Sequence, residues 1–158
     1  MKATRTDQIS NHQRSLYDSD YYLWLQQTFK QLQERNAENL DWENLAEEIE
    51  GLSRSERNKV NSYLYRLLIH LLCYQYWYTE QPWSGKGWQV EIRNFRFELE
   101  QLLESKTLSN YYLETIEKTY GKARQAVIEK SSLPEVVFPE SCPYTSKQIL
   151  DFDYLPDS

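Results

Sequence analysis

The sequence predicts an all-α protein, a bundle of four to five helices around a long central helix, with an irregular, Pro-rich C-terminal segment packed on it. Hydrophobic residues recur at helical spacing in successive segments of the chain. Between residues 64 and 77 the chain is apolar nearly all round, as expected of a central helix that is contacted on several sides. Four of the five prolines follow residue 132, so this last part is not a regular helix throughout.

The first two predicted helices are amphipathic. The first runs from about residue 19 to residue 35, and its inward face holds Tyr21, Trp24, Leu25, Thr28 and Leu32. The second begins at Asp41, whose side chain is suited to accept a hydrogen bond from the first free backbone amides. It ends at Gly51, because glycine tolerates the left-handed conformation of a helix end. Its apolar stripe is expected to face the core and consists of Trp42, Leu45, Ala46, Ile49 and Leu52.

A long third helix is predicted from about residue 54 to residue 81. A capping box at residues 53–56 would open it, so that the second and third helices meet at a corner. The aromatic alternation at residues 74–78 also suits a strand, but a helix is preferred because no partner strand is visible. After Pro82 and an expected turn at residues 84–87, a fourth helix carries Val90 and Phe97 on its back. Its core stripe comprises Trp88, Ile92, Phe95, Leu99, Leu102 and Leu103.

A fifth helix is predicted from about residue 108 to residue 131, with Thr107 as its cap. The residues facing inward are Ile116, Tyr120, Ala123 and Val127. The segment 133–158 is too apolar to remain in water and is expected to pack on the bundle, through Val136, Val137, Phe138, Tyr144, Ile149, Leu150, Phe152, Tyr154 and Leu155. Within it, Thr145 and Gln148 form a capping-box pair for one short helical turn. Residues 1–15 are polar without periodicity and are predicted to be a disordered tail, whereas residues 16–158 form a single domain.

Several motifs together carry a resemblance to a known family. They are Tyr21-Tyr22-Leu23-Trp24 after Asp18 and Asp20, the block 41–52, the run 67–72, Ser84 with Trp88, and the run 138–144. On these motifs, the chain from Tyr17 to Leu155 resembles the bacterial, largely cyanobacterial family called domain of unknown function 29. The resemblance implies a compact α-helical fold. It implies no activity, substrate or cofactor.

Charge and composition exclude some classes of partner. The net charge is −6, from 24 acidic and 18 basic residues, and no basic face is concentrated enough to bind a nucleic-acid duplex. The polar stretch 1–14 lacks the apolar core of a signal peptide, and no run approaches the about 18 apolar residues of a membrane span. We therefore expect a cytoplasmic protein with reduced cysteines. Cys73 lies in an apolar helical run, where a nucleophilic thiolate would be poorly solvated.

The enzymatic hypothesis is a small-ligand or metal pocket formed by His70, Arg66, Asp41 and Glu48. A helical rise of about 1.5 Å per residue would place Glu48 and His70 on the order of 20 Å apart on either side of the predicted corner. Only one histidine lies outside the N-terminal tail, so no catalytic residue, metal ligand or cofactor is predicted. His70 is interpreted as a core histidine bonded to a carboxylate such as Glu98, or as a pH-sensitive contact.

The leading hypothesis is a non-catalytic interaction or regulatory domain that binds another protein or a second copy of itself. Tyrosine and tryptophan are favoured anchors of protein contacts. An aromatic corner around the end of the third helix therefore supplies four candidate partner-binding residues, Tyr76, Tyr78, Trp83 and Trp88. The outward face of the second helix, with Glu43 and Glu47, is either a solvated surface or a site for a basic protein. Self-association would bury Val90 and Phe97.

Overall fold

The computed structural model describes residues 16–157, and within them every regular element is a helix. The α-helices are α1 (Tyr21–Gln33), α2 (Trp42–Tyr76), α3 (Gln81–Leu103), α4 (Lys106–Ser131) and α5 (Ser146–Leu150). Two 3-10 turns are formed by Ala37–Asn39 and Glu135–Val137, and residues 16–19 are also helical. The all-α prediction is confirmed for the described residues. The tail predicted for residues 1–15 lies outside them.

The chain divides into two compact units, which meet in sequence between Arg54 and Ser55. Unit 1 contains α1, the first 3-10 turn and the start of α2. Unit 2 contains the rest of α2, then α3, α4, α5 and the C-terminal segment.

The corner predicted after Gly51 is wrong, because α2 continues without interruption from Trp42 to Tyr76. Gly51 does not adopt a positive φ, so it does not end the helix. A glycine inside a helix costs about 1 kcal/mol relative to alanine, which a long helix tolerates. The predicted start is confirmed, since Asp41 Oδ1 accepts a hydrogen bond from the backbone amide of Asn44 at 3.4 Å.

Three further boundaries differ from the sequence prediction. The turn expected at residues 84–87 lies inside α3, which begins at Gln81. Pro82 is in the first turn of this helix, where a backbone N–H would have no helical acceptor, so its absence costs nothing. The helix predicted to run to about residue 81 ends at Tyr76, and residues 74–76 are helical, as preferred over the strand alternative. The cap of α4 is Ser105, whose hydroxyl accepts from the Leu108 amide at 3.4 Å, and Thr107 is already helical.

The core of unit 2 is centred on α2, as the sequence predicts. Its buried residues on α2 are Val60, Leu64, Leu67, Leu68, Leu71, Leu72 and Cys73. The predicted stripes of α3 and α4 pack against them through Trp88, Ile92, Phe95, Leu99, Ile116, Tyr120, Ala123 and Val127. Val90 and Phe97 are exposed on the back of α3, as predicted.

The C-terminal segment packs on the helices of unit 2, with Phe138, Tyr144 and Ile149 buried. The capping box of α5 is confirmed, because the Thr145 hydroxyl accepts from the Gln148 amide and the Gln148 side chain accepts from the Thr145 amide. Burial does not extend to every apolar residue of the segment. Val136 is 91% exposed, and Phe152 and Leu155 are also exposed, because the segment contacts the helices along only one side.

The backbone of the C-terminal segment is held by side chains of α3 and α4. Arg96 on α3 is 2% exposed, and its guanidinium donates to the carbonyls of Ile149 at 2.8 Å, Tyr154 at 2.8 Å and Gln148 at 3.1 Å. Two of these carbonyls lie at the end of α5, where a helix leaves its carbonyls unpaired. On α4, the Tyr112 hydroxyl donates to the carbonyl of Ser146, and the Tyr120 hydroxyl to that of Pro139. Side-chain donors therefore replace the missing helical or sheet partners.

Replacing Arg96 by lysine should destabilise unit 2 by about 2–4 kcal/mol, because one ammonium cannot reach three carbonyls that point from different residues. Thermal or urea unfolding measures the change. Arg93→Lys is the matched control, since Arg93 is exposed and its guanidinium lies 5.9 Å from the centroid of the Phe152 ring. That variant should cost less than about 1 kcal/mol. Equal losses in the two variants would contradict a special role for the buried guanidinium.

Candidate functional site

In unit 1, α1 and α2 are joined through a buried carboxylate. Asp41 and Trp24 are both almost fully buried, and the Trp24 indole Nε1 donates to Asp41 Oδ2 at 3.4 Å. The Asn44 side-chain amide donates to the same oxygen at 2.7 Å. With the backbone amide of Asn44 on the other oxygen, Asp41 accepts from three donors. Its carboxylate is therefore a structural group of unit 1.

A second carboxylate of α2 is held by two tyrosines. The Tyr17 hydroxyl donates to Glu48 Oε1 at 2.6 Å, and the Tyr21 hydroxyl donates to Oε2 at 2.8 Å. The Tyr17 ring packs edge-on against Trp24, with ring centroids 4.9 Å apart. Chiefly through the hydrogen bond from Tyr17, the pKa of Glu48 is lowered, and the same bond raises the pKa of Tyr17 to about 12. Both oxygens of Glu48 are therefore engaged in holding Tyr17 and Tyr21.

Because α2 turns these polar residues toward α1, its apolar stripe points elsewhere. Trp42 is 58% exposed, Ile49 60% and Leu52 64%. The prediction that this stripe faces a core is wrong for Trp42, Ala46, Ile49 and Leu52, whereas Leu45 is half-buried. Asp41 and Glu48 occupy the inner face, and each is one residue before Trp42 or Ile49, which places the apolar residues about 100° further round the helix. We call the exposed residues Trp42, Ala46, Ile49 and Leu52 the outer stripe.

Helix α1 shows the same arrangement. Of its predicted inward residues, Trp24 and Thr28 are buried, as expected. The others are exposed, against expectation: Tyr21, Leu25 and Leu32. Tyr22 and Phe29 are exposed as well. Both helices of unit 1 therefore present apolar side chains to solvent.

Carboxylates lie along one edge of the outer stripe. Glu43, Glu47 and Glu50 are exposed and follow Trp42, Ala46 and Ile49 by one residue, so they lie about 100° round α2 from those residues. The Glu50 carboxylate is 3.8 Å from Arg54 Nη1, and an exposed pair of this kind contributes little to stability. The outer stripe is thus an apolar surface with an acidic border. We call this border, formed by Glu43, Glu47 and Glu50, the acidic edge.

The aromatic corner of unit 2 is only partly exposed. Trp83 is 84% exposed and Tyr78 is also exposed. Trp88 is buried and stacks on Trp77 with ring centroids 5.9 Å apart, and Tyr76 packs edge-on against Phe138 at 5.6 Å. Of the four candidate residues, Tyr78 and Trp83 therefore remain accessible to a partner.

Three side chains of the alternative pocket, those of His70, Asp41 and Glu48, have local hydrogen-bond partners. His70 Nδ1 lies 2.7 Å from the carbonyl oxygen of Arg66, one turn earlier on α2, and its ring centroid is 5.6 Å from that of Phe95. This carbonyl takes the place of the carboxylate expected from Glu98. Burial lowers the pKa of His70, which favours the neutral ring with the proton on Nδ1. His70 and Arg66 belong to unit 2, whereas Asp41 and Glu48 are bound within unit 1.

The two cysteines are free, with Cys73 buried and Cys142 half-buried. Burial raises the pKa of Cys73 to about 11 and that of Cys142 to about 11, so both thiols are protonated at neutral pH. Among residues 16–157, no group of three or more His, Cys, Asp or Glu side chains is placed to hold a metal ion.

We expect Glu48→Gln to loosen α1, because a neutral amide oxygen accepts more weakly from Tyr17 and Tyr21 than a carboxylate does. Because the pKa of Glu48 is lowered in the folded chain, its carboxylate stabilises the fold fully at pH values above the ordinary glutamate pKa. This stabilisation is lost as the pH falls through the lowered pKa. Amide hydrogen exchange of residues 21–33 should therefore be several-fold faster in the variant at about pH 7, and the difference should shrink at about pH 3.

Glu47→Gln is the control for this comparison, since Glu47 is exposed on the same helix. Equal loss of protection in both variants would show that general charge removal, and not the tyrosine contacts, is responsible.

Comparison with known proteins identifies the chain by family. A family model described as domain of unknown function DUF29 matches residues 16–155, which is nearly the whole chain. No curated protein and no solved structure matches significantly. Among the described residues, no helix combines the length and apolar character needed to cross a membrane. The match over residues 16–155 shows that this chain belongs to the DUF29 family, a domain of unknown function.

Proposed function

We propose that this protein is a non-catalytic interaction domain, and that the outer stripe of α2 docks on a basic, amphipathic helix of another protein. The observation that carries the proposal is the exposure of Trp42, Ile49 and Leu52 on one face of a helix. Soluble proteins rarely leave such residues grouped in water unless they serve a contact. Tryptophan is also over-represented among the residues that dominate binding energy.

The shape of the surface favours a helical partner. Trp42, Ala46 and Ile49 follow one another at i, i+4 and i+7, which gives a straight apolar row along α2. A partner helix with its own apolar row can pack along such a row, as in other helix-mediated contacts. The Trp42 indole is fixed in this row, because its Nε1 donates to the carbonyl of Ala37 at 3.1 Å.

The acidic edge favours a basic partner over a second copy. Glu43, Glu47 and Glu50 would face lysine or arginine residues that flank the apolar row of the partner. A second copy docking by the same surface would bring its own acidic edge against them, and the net charge of −6 adds to this repulsion. We propose that the contact is made in the cytoplasm, because free thiols such as those of Cys73 and Cys142 are kept reduced there.

A photoreactive benzophenone side chain at position 49 tests which molecule covers the outer stripe in the native cell. We expect a covalent adduct with another protein, attached to a segment that is amphipathic and carries net positive charge. Position 101 is the control, because Gln101 is exposed on α3 and belongs to unit 2. The proposal is overturned if position 49 gives no adduct, if the adduct is a second copy of this chain, or if position 101 reacts equally.

Trp83 is tested in the same way, at the aromatic corner. An adduct with a foreign protein at position 83 and none at position 49 would move the docking surface to that corner and overturn the assignment to unit 1.

The double change Ile49→Ser and Leu52→Ser should leave stability within about 0.5 kcal/mol per site, because both side chains are already exposed. Co-purification of the partner that position 49 identifies should fall roughly tenfold in this variant, as expected when central apolar contacts are removed. Val90→Ser with Phe97→Ser is the matched control, since these residues are exposed to a similar degree in unit 2. Loss of partner recovery in the control but not in the unit 1 variant would contradict the proposal and favour the back of α3.

A further inference from the structure

A polar cavity of about 390 Å³ lies in unit 2, between α2 and α4. Asn61, Ser62 and Tyr65 line it from α2, and hydroxyl and ammonium groups line it from α4. Its volume is within the range of about 300–1,000 Å³ typical of small-molecule sites. The buried residues that α2 contributes to the core of this unit are hydrophobic, so a seam of hydroxyl and amide groups beside them requires an explanation.

The polar groups of this seam are ordered by hydrogen bonds. Thr115 Oγ1 donates to Asn61 Oδ1 at 3.2 Å, and Asn61 Nδ2 donates to the Tyr111 hydroxyl oxygen at 2.7 Å. Thr119 Oγ1 lies 3.4 Å from Thr115 Oγ1, and both threonines are more than nine-tenths buried. The Tyr111 oxygen therefore acts as an acceptor. Its own proton has no acceptor among residues 16–157, so this hydroxyl is available to donate to a ligand.

The charge on the cavity is positive, in contrast to the chain as a whole. Lys118 and Lys122 line it one helical turn apart on the same face of α4, and no aspartate or glutamate lines it. Neither lysine forms an ion pair within the described part of the chain, where the four pairs involve Lys30, Arg54, Lys59 and Arg124. The Arg57 guanidinium adds a further cation, 5.5 Å from the centroid of the Tyr111 ring. The two lysine ammonium groups and the Arg57 guanidinium are therefore hydrogen-bond donors, and no carboxylate lines the cavity to accept from them.

We propose that this cavity binds a small sugar phosphate, with the phosphate between Lys118 and Lys122 and the sugar hydroxyls on Asn61, Ser62 and Thr119. A phosphate offers up to two negative charges and three strong acceptor oxygens, which match two ammonium groups and the Tyr111 hydroxyl. Lysine binds phosphate well as a point charge. The amide of Asn61 and the hydroxyls beside it can donate and accept, as sugar hydroxyls require.

Titration calorimetry of the full chain with ribose 5-phosphate tests the site, with ribose and inorganic sulfate as comparison probes. We expect saturable binding of ribose 5-phosphate with a Kd on the order of 0.1 mM, and at least tenfold weaker binding of ribose and of sulfate. No saturation at millimolar ligand, or equal binding of the three probes, overturns the proposal. Equal binding of sulfate and ribose 5-phosphate would reduce the site to general attraction of anions and overturns it too.

Variants locate the binding. Lys118→Gln with Lys122→Gln should weaken binding at least tenfold, and Tyr111→Phe several-fold, whereas Lys106→Gln should change nothing because Lys106 is exposed on α4 outside the cavity. The two lysines are exposed, so the melting temperature of the double variant should match that of the native chain. Binding that survives in the double variant overturns the assignment to this cavity. Because the outer stripe lies in unit 1, this outcome is independent of the photocross-linking result.

Discussion

The structure of unit 2 depends on one requirement, that the backbone carbonyls of an irregular C-terminal segment find donors. A segment without a helical or sheet ladder leaves these oxygens unpaired, and burying an unpaired carbonyl is costly. Arg96 meets three of them with one planar guanidinium, and Arg124 donates to the carbonyls of Phe138 and Glu135. Tyr112 and Tyr120 add their hydroxyls. The apolar contacts of Phe138, Tyr144 and Ile149 can form only because these polar groups are satisfied at the same time.

Unit 1 follows the opposite distribution of polar and apolar residues. Its helices meet through Asp41 and Glu48, which accept from Trp24, Tyr17 and Tyr21, whereas the exposed aliphatic residues are Leu23, Leu25, Leu32, Ile49 and Leu52. Because aromatic donors and carboxylates hold α1 and α2 together, the two helices associate without burying the outer stripe. The same helix, α2, thus shows an apolar face to the core in unit 2 and an apolar face to solvent in unit 1. The DUF29 family supplies no activity to explain this surface, and a protein contact is our proposal for it.

Sequence reasoning predicted the all-α fold, the stripes of α3 and α4 and the capping box of α5, because these follow from local spacing and capping chemistry. It predicted the wrong face of α2 in unit 1, since periodicity shows where apolar residues lie but not which face a neighbouring helix uses. The spacing of Tyr17, Tyr21 and Trp24 along one face was a signal for the carboxylate contacts. Sequence reasoning also gave no indication of the polar cavity, because Asn61 pairs with Tyr111 and Thr115, which lie 50 and 54 positions further along the chain. Gly51 was a misleading signal, as glycine both ends helices and is tolerated inside them.

The position of Arg96 in the chain has a consequence for biosynthesis. The three carbonyls that accept from it, at Gln148, Ile149 and Tyr154, are translated more than 50 residues later. When α3 emerges from the ribosome, the Arg96 guanidinium therefore lacks these hydrogen-bond acceptors. Until residues 148–154 have left the ribosome, the core around this guanidinium stays open to water. Unit 2 therefore completes its folding only after translation has reached its C-terminal segment.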